Sequence, residues 1–121
     1  MIYFEDIDTN RAKMLIKEHP EVHEGWPHWI EAEEEMQRPD LPPVRPFQKV
    51  MSGDGECIGI AIINFFPKRL LSKPYVNIFA LDIWDEANYS KEDMREAIMK
   101  RYPEAAKITT GSGRQHENKM Y

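Results

Sequence analysis

The chain is 121 residues long, with 31% charged residues, 11% aromatic residues and a formal net charge of −5. That length gives one domain, able to bury about two thirds of the surface its unfolded chain exposes, and the aromatic content is ordinary for a folded protein. The acidic balance argues against a general nucleic-acid binder, which needs a basic patch that no part of the chain obviously supplies.

In chain order, the opening from Ile2 to Ile7 alternates and reads as a first strand. Asp8-Thr9-Asn10 ends it and offers N-caps for a helix to about His19, where Pro20 stops the helix. Ala12, Leu15 and Ile16 make its apolar stripe. The start MIYFEDID carries acid where a secretion signal carries base, and no apolar run approaches the roughly 20 residues that cross a bilayer, so a soluble, non-secreted chain is expected.

Gly25-Trp26-Pro27 breaks the chain, and Pro27 suits the first turn of a second helix to about Gln37. Its apolar positions at helical spacing are Trp29, Ala32 and Met36, with Glu31, Glu33, Glu34 and Glu35 on the other face. These acids read as a solvated surface, against the sharper reading of a face that docks a basic partner or mimics nucleic acid. Residues 38–46, RPDLPPVRP, form a proline-dense connector that is neither helix nor central strand.

Phe47 to Met51, the turn Ser52-Gly53-Asp54-Gly55 and Glu56 to Phe66 give an antiparallel hairpin. Gly59, inside the second strand, marks a bulge or a close backbone approach. A second turn at residues 67–74 leads into residues 75–84, YVNIFALDIW, which are apolar at both parities: Val76, Ile78 and Ala80 on one, Tyr75, Phe79, Leu81 and Ile83 on the other. A strand apolar on both faces is covered on both faces. With its Ile-rich neighbour it predicts adjacent central strands under helices, with Ile60, Ile62, Ile78, Phe79 and Leu81 nearly inaccessible.

Further on, Ser90 with Asp93 three residues later is a capping box that opens a helix, with Met94, Ala97, Ile98 and Tyr102 inward and Pro103 as its stop. Lys107 to Thr110 reads as a short strand, Gly111-Ser112-Gly113 as a turn and Arg114 to Tyr121 as a last helix. The fold class is therefore α+β, a mostly antiparallel mixed central sheet with helices on both faces, in one domain over residues 1–121.

Among chemical motifs, His19, Glu21, His23 and His28 cluster, but the spacing H-P-E-V-H is not H-E-x-x-H, and Pro20 keeps the first two histidines off one helical turn, so no metal site is assigned. The single cysteine, Cys57, has no basic neighbour in sequence and reads as an inert core thiol in a reducing compartment or inside a particle.

The order strand, two helices, three-strand meander, helix, strand, helix resembles the acetyl-CoA-dependent N-acetyltransferase (GNAT) superfamily. FQKVMSGDGECIGIAIINF is similar to that family's second and third strands, and KITTGSGRQHENKMY to its fifth strand and following helix, with Tyr121 at the place of a frequent helix tyrosine. The resemblance implies a coenzyme A site after the 75–84 strand, where the family carries an R/Q-x-x-G-x-G/A loop. Here residues 85–93 read DEANYSKED, with no glycine and with Asp85, Glu86, Glu92 and Asp93 around the helix start. Arg114 stands where an asparagine is common, and the family's last two strands are missing, which implies a sheet shortened or completed by another chain. The pattern is similar to acetyltransferase-like proteins of short-tailed phages, including internal virion proteins without the cofactor loop.

Two functions follow. One is a non-catalytic GNAT-like binding or structural protein, acting through a protein partner or self-association, in a cytoplasm or a virus particle, with no cofactor, nucleic acid or membrane. The alternative is an N-acyltransferase using acetyl-CoA, with Asn88, Tyr89, Ser90 and Arg114 at the cofactor and Glu56, Asp82 or Tyr121 as acid–base residues.

Overall fold

The computed structural model describes residues 1–111, so the expected helix from Arg114 to Tyr121 lies outside the described residues. The first strand, β1 (Ile2–Ile7), leads into α1 (Thr9–Glu18), whose N-cap is Asp8: its carboxylate accepts the Arg11 amide at 2.8 Å. Beyond α2 (Trp26–Met36) the chain runs through the proline connector into the meander β2 (Phe47–Ser52), β3 (Cys57–Phe66) and β4 (Tyr75–Ile83). α3 (Lys91–Arg101) and β5 (Lys107–Thr110) follow.

The sheet has the order β1-β2-β3-β4-β5, antiparallel throughout except for the parallel edge pair β4–β5. α3 covers one face, over Ile2, Phe4, Val50, Ile63, Val76 and Ile78. α1 and α2 cover the other, where Ala12, Leu15, Trp26 and Ile30 meet Phe47, Ile60 and Ile62. Helices thus pack on both faces of a mixed α+β sheet, and β3, in its middle, has an unbroken buried run from Ile58 to Ile63. No helix among the described residues is long and apolar enough to cross a membrane.

Two bulges interrupt the ladders. Val50 pairs with Gly59 and Met51 with Cys57, leaving Ile58 as the extra residue of β3; Ile62 pairs with Ala80 and Ile63 with Ile78, leaving Phe79 as the extra residue of β4. Each bulge resets which face the following side chains occupy. The simple alternation expected for residues 75–84 therefore fails: Phe79 and Ala80 both face α1 and α2, while Leu81 and Ile83 join Val76 and Ile78 on the α3 side. Gly59 is required by close approach, since a Cβ there would lie 2.5 Å from the Asp82 carbonyl oxygen.

Ile60, Ile62 and Ile78 are buried as expected, but Phe79 and Leu81 are only partly so. β5 pairs with β4 from Tyr75 to Ile78, so no strand among the described residues borders Phe79 and Leu81 on that edge. The stripe expected on α2 also differs: because the helix opens at Trp26, its buried positions are Trp26, Ile30 and Glu33, while Trp29 is half-buried and Met36 exposed.

Glu33 is not on a solvated face. Its two carboxylate oxygens accept the backbone amides of Val44 at 3.0 Å and Arg45 at 2.8 Å, which fastens the proline connector to α2. Gln48, also buried, performs a related task beside Pro46, which has no N–H to extend β2: its side-chain amide accepts from the Ile63 N–H and donates to the Ile63 carbonyl.

Ile62→Ala and Ile78→Ala should each cost about 2–5 kcal/mol, and Leu81→Ala clearly less, because only the first two leave a fully enclosed cavity. Urea unfolding of the three variants checks the ranking, and a Leu81→Ala loss equal to that of Ile62→Ala would contradict the half-covered end of β4.

Candidate functional site

The junction of β4 with α3 is where the family resemblance directs a cofactor. Beyond Ile83 the chain stays tied to β3, with the Trp84 amide donating to the Ile58 carbonyl at 2.9 Å. It then turns through a short 3₁₀ helix, Glu86–Asn88, in which the Asn88 side-chain amide donates to Asp85 at 2.8 Å. Ser90 is the N-cap of α3, its hydroxyl accepting the Asp93 amide at 3.1 Å. Only this half of the expected capping box is seen, and the Asp93 carboxylate lies 3.8 Å from the Met1 amino group.

A cavity of about 380 Å³ opens here, lined by Ser52, Asp54, Asn88, Tyr89, Ser90 and Asp93 among others. The structure therefore brings together three of the four residues expected at the cofactor; the fourth, Arg114, lies outside the described residues. Two carboxylates line the same space. The Ser52 hydroxyl, donating to Asp54, is the largest cause holding that carboxyl below its ordinary value of 3.8, with help from the Glu56 amide. Asp54 is therefore negative at neutral pH, and an anion entering the cavity meets it and Asp93.

Of the candidate acid–base residues, Tyr121 is outside the described residues and Glu56 stands exposed at the β2–β3 turn, on no shared cavity with Asp82. Asp82 follows the bulge in β4 and faces the α1–α2 turn. One of its oxygens, Oδ2, accepts both the Trp26 indole N–H and the His23 backbone amide, the latter at 3.1 Å. Trp26 has no exposed surface, so this carboxylate satisfies a buried donor that would otherwise be orphaned. The chemical task visible at Asp82 is to hold α2 and its preceding turn onto the sheet.

Around that tie lies a layer of rings. His19 stacks on Trp84 at 3.7 Å between centroids, His23 on Trp29 at 5.5 Å, and Trp29 meets Phe79 edge-on at 5.2 Å. His23 Nδ1 accepts the Gly25 amide at 2.9 Å, which puts the proton of the neutral ring on Nε2. Trp29 lies so close to Gly25 that a Cβ there would sit 2.7 Å from its ring. His19 and His23 are thus spent on ring stacking and turn geometry, and the described residues hold no cluster fit for a metal ion. Cys57 is half-buried instead of buried; its thiol donates to the Gly59 carbonyl at 3.5 Å, and burial pushes its pKa above 9.0, which favours the unreactive protonated form.

The Asp82–Trp26 tie and the His19–Trp84 stack are not visible in sequence, since their partners are more than fifty positions apart. The available signal was the coincidence of a lone acid in an apolar strand with a tryptophan at a helix start. No family model, curated protein or solved structure matches the chain.

Asp82→Ala should destabilise the protein by about 1–3 kcal/mol through the buried Trp26 donor it leaves unpaired, and Asp82→Asn, which keeps an acceptor oxygen, by less. Urea unfolding followed by tryptophan fluorescence measures both; an Asp82→Ala midpoint equal to that of the parent would mean that the tie contributes nothing.

Proposed function

We propose that the chain is a non-catalytic binding or structural protein on a GNAT-like frame, acting through protein contacts and without a cofactor. The observation that carries this reading is the start of α3. There Ser90 already takes the Asp93 amide, Asn88 is turned to Asp85, and Asp54 and Asp93 line the adjoining cavity. A helix start accepts a pyrophosphate when its first amides are free and approachable and the surrounding charge is positive or neutral. Each carboxylate within about 6 Å of a phosphate costs on the order of 1 kcal/mol even when partly screened. Several together offset the roughly 4 kcal/mol that separates a micromolar ligand from a millimolar one.

The element order from β1 to β5 and the helices on both faces support the GNAT-like frame. The tie of Asp82 to Trp26 and His23 supports a structural role for the one strand acid that faces a helix layer. On the resemblance to proteins of short-tailed phages, the proposal extends to a cytoplasmic or virion-internal setting with no nucleic-acid or membrane partner. The second reading, an N-acyltransferase with an atypical cofactor loop, draws on the presence of a cavity beside the start of α3, lined by Asn88, Tyr89 and Ser90.

Calorimetric titration with acetyl-CoA separates the two. The proposal expects no saturable heat below about millimolar ligand, the limit at which binding is worth only about 4 kcal/mol, and little gain when Glu86, Glu92 and Asp93 are replaced by neutral residues. A micromolar dissociation constant for the unaltered chain would transfer the assignment to the acyltransferase.

A further inference from the structure

Five of the eight large apolar side chains that stand exposed among the described residues fall in two patches at one end of the sheet. The first is the β3–β4 turn. Leu70 and Leu71 are 96% and 97% exposed at its tip, held there by a tight Arg69–Ser72 bridge in which each backbone amide donates to the other residue's carbonyl. This turn, residues 67–74, carries three cations, Lys68, Arg69 and Lys73, and no acid, in a chain whose net charge is −5. Two adjacent leucines with essentially no intramolecular contact, on a stiffened turn bounded by Pro67 and Pro74, are unusual for a monomer's surface.

The second patch is a cavity of about 490 Å³ between the end of α2, the end of β1 and the proline connector. Its walls include Met36, Leu41 and Val44, which are 48%, 55% and 58% exposed and are the other three of the five. The volume is within the roughly 300–1,000 Å³ of pockets that enclose ligands, and suits two leucine side chains. Three carboxylates line it against two arginines: Asp8, the N-cap of α1, Asp6, which also pairs with Arg101 at 2.7 Å, and Glu33, which holds the connector amides. The two arginines on the lining are engaged, Arg38 with Asp40 at 3.5 Å and Arg45 over the Phe79 ring at 5.0 Å. The connector is rigidly placed, through Glu33 on one side and on the other through Asn64, whose side-chain amide donates to the Val44 carbonyl at 2.9 Å.

Asn64 lies in β3 two residues before the strand ends at Phe66, so turn and cavity are neighbours at the same end of the sheet. That placement decides the symmetry. Two complementary patches at opposite ends would build an open chain of copies; side by side they allow a two-fold axis on which each copy gives its turn and receives its partner's.

We infer that the 67–74 turn docks into a second copy of this chain, Leu70 and Leu71 entering the cavity walled by Met36, Leu41 and Val44, with the turn's cations against the carboxylates of its lining, in a closed dimer with two such contacts. This inference rests on the reading of the chain as a protein that acts through contacts, and names the partner. An anionic bilayer is the rival occupant for a basic turn with exposed leucines. The net negative charge of the chain opposes it, and the bilayer leaves the neighbouring cavity unexplained.

The test is sedimentation of the full chain with two double variants. Leu70→Asp/Leu71→Asp alters only exposed side chains, and Leu41→Asp/Val44→Asp spares the backbone amide that Glu33 holds; a urea midpoint equal to the parent's, at a dilution where the parent is monomeric, confirms that each folds. The parent chain is expected to dimerise, and each variant to weaken dimerisation by roughly a hundredfold, as for loss of central apolar anchors. An equimolar mixture of the two variants should recover a heterodimer, since one intact turn then faces one intact cavity. A parent that stays monomeric at high micromolar concentration, a dimer indifferent to both variants, or a mixture that recovers nothing would overturn the inference. So would binding to phosphatidylserine vesicles that is lost in Leu70→Asp/Leu71→Asp. Titration with acetyl-CoA reports on the broader reading separately: a dimer indifferent to the turn with no cofactor binding sinks only this inference, and micromolar cofactor binding by a turn-dependent dimer sinks only the broader one.

Discussion

β4 is paired on both edges from Tyr75 to Ile78, and beyond that point β5 no longer borders it. The change falls at the bulge on Phe79, and much of the molecule follows from it. Because the bulge adds one residue, Asp82 faces the α1–α2 layer, where it meets the buried Trp26 indole; in strict alternation it would have faced α3. Along the same edge no described strand borders the end of β4, whose residues are partly buried. The chain leaves it through a short 3₁₀ turn whose own side chains close on one another before α3 begins.

The two faces of the sheet are held by different physics. α3 lies over an apolar layer, joined to β1 at its end by the Arg101–Asp6 pair at 2.7 Å, an exposed contact of small worth. The α1–α2 face depends on carboxylates used as hydrogen-bond acceptors: Asp82 for Trp26 and His23, Glu33 for the connector. Such groups contribute direction more than energy, because removing one orphans buried donors while forming it only replaces water. They fix the positions of the aromatic layer and the proline connector, as the proposed role in protein contacts requires. The same bonding engages Asp82, one of the three acid–base candidates, while Glu56 stays exposed.

The fold was largely legible. Helix caps at Asp8 and Ser90, the proline stops, the glycine turn between β2 and β3 and the two-sided apolar strands are local signals, and each corresponds to an observed element. The failures share one cause: they concern which way a side chain turns once partners far away in sequence are present. Glu33 sits among four glutamates and looks solvated until the Val44 and Arg45 amides arrive eleven and twelve residues later. Phe79 and Leu81 look central because a sequence does not state where β5 will end. At the site, the acidic, glycine-free loop was readable and corresponds to the observed junction. The ring layer and the partnership of Asp82 were not, being products of the bulge.

Amide hydrogen exchange along β4 tests this account most directly. The Gly111 amide donates to the Ile78 carbonyl and the Trp84 amide to β3, so by alternation Val76 and Ile78 point their amides at β5, and Leu81 and Ile83 point theirs at the edge where no described strand lies. The account predicts that Val76 and Ile78 exchange only on global unfolding, and Leu81 and Ile83 orders of magnitude faster, through local exposure. Equal, deep protection of all four would contradict it, because β4 would then be paired along its whole length and the break at Phe79 would not govern the site.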